Sequence, residues 1–104
     1  MKLIKAIVRP EKTMDIISAL YDAGFPAVKK MDVSGRGRQN APKGSGTFDE
    51  LPKDLLYIVC EDENKKTIID IIMEKARTGE HGDGRIFVSD IESAYTISTG
   101  EEEL

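Results

Sequence analysis

An apolar strand core, Ala6-Ile7-Val8, is followed by a helical stripe and a second strand, and the same order begins again at Tyr57-Ile58-Val59. In the first half, Lys2–Arg9 reads as a buried strand that Pro10 stops. Met14, Ile17, Leu20 and Tyr21 then recur at helical spacing, with Ile16 widening the stripe. Gly24 and Pro26 end that helix, and Ala27–Val33 reads as a more polar strand. In the second half, Asp54–Cys60 is a strand, and Asp62 or Asn64 is positioned to cap a helix carrying Ile68, Ile69, Ile71, Ile72 and Ala76. The helix is expected to end near Thr78-Gly79, before a strand over Arg85–Ile91. Tyr95–Thr99 suits a short fifth strand, and the acidic tail from Glu101 to Leu104 a frayed end. This doubling predicts one α+β domain over residues 1–104, a doubled βαβ sandwich in which an antiparallel four-stranded sheet carries both helices on one face. The other face needs cover, for which Leu3, Ile58 and Phe87 offer side chains, and a subunit interface is the expected cover.

Between the halves the character changes. Gly35–Pro52 holds four glycines, two prolines and almost no apolar residue, so no periodicity survives and the stretch reads as a loop. Its length points to a functional element, the alternative being a solvated linker. The net charge of −4 supplies no overall basic field for nucleic acid, so any anion site must be local. The sole cysteine, Cys60, ends an apolar run and reads as a buried strand residue, with a reactive thiol as the alternative. The apolar runs are too short to span a bilayer, and with no signal peptide in view a cytoplasmic protein without membrane insertion is expected.

The segment TGEHGDGR, residues 78–85, lies between the second helix and the last strand. Its three glycines let backbone amides turn inward as an anion-binding nest, and Arg85 adds a guanidinium fork suited to phosphate. The same residues also suit a plain helix-to-strand turn. Gly35-Arg36-Gly37-Arg38-Gln39 repeats the theme, and two Gly/Arg turns make a shared anion site more plausible than either alone. Catalytic constellations are missing. His81 is the only histidine and reads as an exposed bystander, no nucleophile has an evident base, and no spacing suggests zinc or a Walker loop.

The block TGEHGDGRIFVSD resembles the signature of the PII family, GRGRQ resembles the start of that family's long effector loop, and Leu51-Pro52-Lys53 resembles its end. Arg9-Pro10 and Thr99-Gly100-Glu101 also match, so the resemblance spans nearly the whole chain. MDVSGRGRQ, DELPK and ARTG look most like the nitrogenase-associated branch of archaea and anaerobic bacteria. The resemblance implies a ferredoxin-like homotrimer that is a regulator and not an enzyme. It would sense ATP or ADP in clefts between subunits, with magnesium and 2-oxoglutarate beside the ATP and no tightly bound cofactor. Its protein target would belong to nitrogen metabolism, a nitrogenase component or an ammonium channel. By position, Ile7, Gly35 and Val59 would line the adenine pocket, and Gly37, Arg38, Gly82, Asp83, Gly84 and Arg85 would hold phosphates. Gln39 and Lys53 would serve magnesium and the oxoglutarate carboxylates, Gln39 being the one side chain expected near a metal, with nucleotide bound. Arg36, Lys43 and Phe48 would face a partner from the loop, taken as residues 36–52.

The departures define an alternative. Two positions at which many family members carry phosphate-contacting arginines are Thr96 and Ser98 here, while Lys29 stands where a small hydroxyl residue is usual. The loop is shorter than usual and has no tyrosine to modify. The alternative is a divergent PII-like trimer that has lost ATP binding and senses another small anion or a metal.

Overall fold

The computed structural model describes residues 1–35 and 51–103. Strand β1 (Lys2–Val8) leads through a 3₁₀ turn (Pro10–Lys12) into helix α1 (Thr13–Asp22) and strand β2 (Lys29–Gly35). Strand β3 (Leu51–Cys60), a second 3₁₀ turn (Asp62–Asn64), helix α2 (Lys65–Ala76) and strand β4 (Gly84–Asp90) complete the second half. The strands form one antiparallel sheet in the order β2-β3-β1-β4. The doubled βαβ plan is therefore present, with the two central strands supplied one by each half.

Both helices cover the same face. Ile4, Ala6 and Val8 of β1 and Leu56, Ile58 and Cys60 of β3 are buried against Ile16 and Leu20 of α1 and Ile68, Ile72 and Ala76 of α2. Side chains alternate across a strand, so cross-strand partners share a face. Ile4 pairs with Ile58, whereas Leu3 pairs with Val59. Ile58 thus belongs to the helix-covered core at 2% exposure, and Val59 takes the place on the open face that was expected of Ile58. Leu3 and Phe87 are on the open face as expected.

Other boundaries move for identifiable reasons. The buried stripe of α1 is Thr13, Ile16 and Leu20, while Met14 and Tyr21 are more than two-thirds exposed. The Met14–Ile17–Tyr21 spacing is equally helical but lies about 100° further round the helix. Neither Asp62 nor Asn64 caps α2 through its side chain. The Asp62 carboxylate instead accepts from the N-terminal amine at 2.8 Å. Leu51 and Pro52, read as loop, begin β3 and pair with Gly35 and Ser34. The last segment is a small hairpin closed by a bridge from Tyr95 to Glu102, with Glu103 N–H donating to the Ala94 carbonyl at 2.9 Å. Glu101–Glu103 are therefore tied to the chain and not frayed.

Two polar residues penetrate the core side. Thr13 and Asp54 are 2% and 5% exposed, and the Thr13 hydroxyl donates to Asp54 Oδ2 at 2.5 Å. Lys30 Nζ stands 3.8 Å from the same carboxylate and 3.3 Å from Asp32 Oδ1. This satisfies a carboxylate that would otherwise be costly to bury.

Candidate functional site

The turn between α2 and β4 is built by its own aspartate. Gly79, Gly82 and Gly84 all take positive φ, at 90°, 100° and 106°. At Gly84 a Cβ would lie 1.7 Å from the Ile7 carbonyl oxygen, so only glycine lets β4 begin beside Val8. The Asp83 carboxylate folds back: Oδ2 accepts the Thr78 and Gly79 amides, each at 2.8 Å, and Oδ1 accepts the Thr78 hydroxyl. Arg9, one residue beyond β1, donates from Nε to Asp83 Oδ1 at 3.1 Å and from Nη2 to the His81 carbonyl at 2.9 Å. Lys53 Nζ donates to the Gly82 carbonyl.

These contacts set the local electrostatics. The Thr78 hydroxyl holds the Asp83 carboxyl far below the usual carboxylate range; the Thr78 and Gly79 amides and Arg9 add to this against a desolvation cost. Partial burial pushes the Lys53 ammonium below the usual lysine range, and the charge of Arg9 pushes the same way. The turn is thus a negative group ringed by donors, with two cations, Arg9 and Lys53, at its back.

The residues singled out in the sequence fall into distinct places. Ile7 and Arg85 are direct cross-strand partners on the open face. With Asp83, Gly84, Ile72 and Arg77 they line a groove of about 230 Å³ between the start of β4 and the end of α2. Lys53 pairs with Val33, and Gly35 sits two residues further along β2, opposite Leu51. Loop foot and glycine turn therefore meet at one end of the sheet. Val59 does not join them. It pairs with Leu3, whereas Ile7 pairs with Leu55, four residues away on β3 and so roughly 13 Å distant. Arg36, Gly37, Arg38, Gln39, Lys43 and Phe48 lie outside the described residues. Thr96 and Ser98 are in the C-terminal hairpin, where the Thr96 carbonyl accepts the Gly100 amide at 2.8 Å.

Sequence reasoning placed Thr78 in the glycine segment without giving its side chain a role, and it did not connect Arg9 with that segment. The only local signal for Arg9 was its place at the end of a strand before Pro10. Its reach to Asp83 depends on the β1–β4 pairing, which brings Val8 beside Gly84. Among the described residues, no group of three or more His, Cys, Asp or Glu side chains is arranged to hold a metal ion. No helix among them is long and apolar enough to cross a membrane. Cys60 is buried, and burial raises its thiol pKa, which favours the inert reading over the reactive one.

An antiparallel four-stranded sheet with two helices on one face and a side-chain-clamped glycine turn at its end is a ferredoxin-like α+β sandwich with a candidate site at one sheet end. The chain belongs to the PII family: the model for "Nitrogen regulatory protein P-II" matches residues 1–101. It is 47% identical over 105 residues, covering all of both chains, to "Nitrogen fixation nifHD region GlnB-like protein 1" of Methanothermobacter marburgensis. It is 48% identical over 102 residues, 97% of each chain, to the protein of the same name from Methanothermococcus thermolithotrophicus. It is also 41% identical over 106 residues, 97% of this chain and 92% of the other, to "Nitrogen regulatory protein P-II 2" of Methanothermobacter thermautotrophicus. These names fit the nitrogenase-associated branch that the sequence motifs suggest.

Proposed function

We propose that this chain is a regulator of nitrogen fixation that works as a cytoplasmic homotrimer by protein–protein contact, without catalysis. It senses an adenine nucleotide at the glycine turn, with 2-oxoglutarate at the loop foot as a second effector. Its target is a nitrogenase component, or in second place an ammonium channel. The observation that carries the reading is the junction of Lys53 with the Gly82 carbonyl, which joins the foot of the long loop to the glycine turn. A ligand at that junction changes the balance of contacts at the loop foot, and so favours some loop arrangements over others.

The residues present suit a phosphate-bearing ligand. Arg85 is exposed with no ion-pair partner among the described residues, and its cross-strand partner Ile7 offers an apolar surface beside it on the open face. Asp83 already neutralises part of the charge of Arg9, and its carboxylate is saturated by donors, so its side chain shapes the turn. The charge for a phosphate would come from Arg85, Lys53 and Arg38, and Gln39 would serve a magnesium ion carried in with the nucleotide. Bound magnesium would supply charge neutralisation for the phosphates.

Calorimetry with ATP, ADP and AMP, each with and without magnesium and 2-oxoglutarate, tests the reading. Binding of ATP or ADP that falls about tenfold or more in Arg85→Ala is expected, because a charge-assisted contact contributes roughly 1.5–3 kcal/mol. No heat with any nucleotide would overturn the nucleotide reading. One feature favours the alternative: Thr96 and Ser98 stand where the family resemblance implies phosphate-contacting arginines in many members. A response to inorganic phosphate, a dicarboxylate or a metal, without one to nucleotide, would favour that divergent sensor.

A further inference from the structure

Asp54 breaks the pattern of its own strand. Buried positions alternate along β3, and Asp54, Leu56, Ile58 and Cys60 all face the helices. Only the first of these is charged. An apolar residue would cost less there, because a buried carboxylate gives up its hydration. What a carboxylate adds is direction: its hydrogen bonds fix where a partner stands, which apolar contacts do not.

The partner is Thr13, the first residue of α1, whose buried hydroxyl donates to Asp54 Oδ2 at 2.5 Å. Thr13 is joined in turn to Arg9 by the tight 3₁₀ turn between them. The Lys12 amide donates to the Arg9 carbonyl at 3.0 Å, and the Thr13 amide donates to the Pro10 carbonyl. The Thr13 hydroxyl oxygen lies 3.5 Å from the Arg9 carbonyl as well. Pro10, with its fixed φ, stiffens the link.

Arg9 needs such an anchor because it lies one residue beyond the β1–β3 ladder, which ends with Val8 opposite Asp54. Lys53 precedes Asp54, and its side chain leaves from the other face of the sheet. The two cations of the site therefore flank the Val8–Asp54 pair. Both reach the glycine turn, Arg9 at Asp83 and the His81 carbonyl, Lys53 at the Gly82 carbonyl. We infer that Thr13 and Asp54 are positioning residues of the effector site: their bond on the helix-covered face holds the Arg9 corner against the start of β3, and so keeps Arg9 on the glycine turn beside Lys53. The inference rests on the reading of turn and loop foot as the effector site.

T13V/D54V tests it, because an apolar pair of similar volume keeps the core filled and removes only the directional bond. Its denaturation midpoint should match or exceed that of wild type. Nuclear magnetic resonance of the full chain should show the wild-type Arg9 Nε proton exchanging slowly with water, as a hydrogen-bonded guanidinium does. That protection should be lost in T13V/D54V and kept in T13S, which retains the hydroxyl. Calorimetry with magnesium-ATP and 2-oxoglutarate together should show affinity falling about tenfold or more in T13V/D54V and held in T13S. Where the double variant does not fold, T13A takes its place, removing the hydroxyl and leaving room for water beside Asp54. An Arg9 proton unprotected in wild type, or still protected in the variant, overturns the inference. Protection lost with affinity unchanged overturns it too, because the position of Arg9 then has no bearing on the site. A wild type that binds neither effector overturns the functional reading instead, and the Arg9 signal still decides whether the pair positions Arg9.

Discussion

The doubled unit contains two equivalent helix-to-strand connections, one after α1 and one after α2, and they are held in different ways. After α1, the chain closes on its own helix. The Gly24 amide donates to the Tyr21 carbonyl at 3.0 Å and the Phe25 amide to the Leu20 carbonyl at 2.8 Å. With Gly24 at φ 93°, this is a Schellman ending, and Phe25 packs against the core. After α2, the turn is held by Asp83 within it and by Arg9 and Lys53 from positions far away in the chain. A connection that needs only to reverse the chain is satisfied by local backbone bonds. One that draws cations from both central strand ends has the makings of a site.

The largest expected difference between the two lies at their glycines. Gly84→Ala drives a Cβ into the Ile7 carbonyl and the adjoining backbone of β1, which has no flexible side chain to yield. Gly24→Ala meets nothing within 4 Å and carries only the strain of its positive φ. Chemical denaturation should show Gly24→Ala losing about 1–2 kcal/mol and Gly84→Ala losing more than about 3 kcal/mol or failing to fold. Equal losses would mean that the second connection is no more constrained than the first.

Asp83→Asn should have the next largest effect. It keeps the shape but loses the charge that accepts two amides, a hydroxyl and a guanidinium, so a loss of about 1.5–3 kcal/mol is expected. The pH dependence follows from the depressed folded pKa. The stabilisation is complete above the ordinary aspartate value of about 4 and is lost as pH falls below it toward the folded value. Urea titrations at pH 7 and pH 3 should show the wild-type advantage over Asp83→Asn shrinking at the lower pH. An advantage that is flat with pH would take the carboxylate's charge out of the explanation.

What the sequence revealed of this contrast follows from the range of the forces involved. Period and punctuation are local, so strands, helices and both glycine turns were legible from residues such as Ile68, Ile72, Gly24 and Pro26. The family motif picked out Gly82, Asp83, Gly84 and Arg85 as a unit. The motif did not reveal that Asp83 faces into its own turn, because that depends on Arg9 arriving through the β1–β4 register. Face assignment failed at Ile58 for a similar reason: in an apolar run such as Leu55–Cys60, alternation is invisible until a partner strand fixes the parity. Buried Asp54 was unreadable because its solvation comes from Thr13 and Lys30, on other elements.

The smallest expected effect on stability is also the one that separates the site from the fold. Lys53 joins the second connection, yet its ammonium is partly buried beside Arg9, and its pKa is lowered. A lysine with a folded pKa below its unfolded value makes the fold less stable while it is charged, and the fold gains as pH rises through the folded value toward about 10.4. Lys53→Met removes that electrostatic cost together with one bond to the Gly82 carbonyl, and it keeps an unbranched apolar side chain of similar length. The two changes offset, so stability at pH 7 should stay within about 1 kcal/mol of wild type. Wild type should then gain on the variant as pH rises toward about 10.4, the lysine of the wild type discharging earlier in the folded chain than in the unfolded one. Binding of an anionic effector at the loop foot should weaken at least tenfold in the same protein, because the cation it would meet is gone. If Lys53→Met instead unfolds the protein while effector binding per folded molecule is unchanged, Lys53 is a strut of the second connection, and the two connections differ in architecture alone.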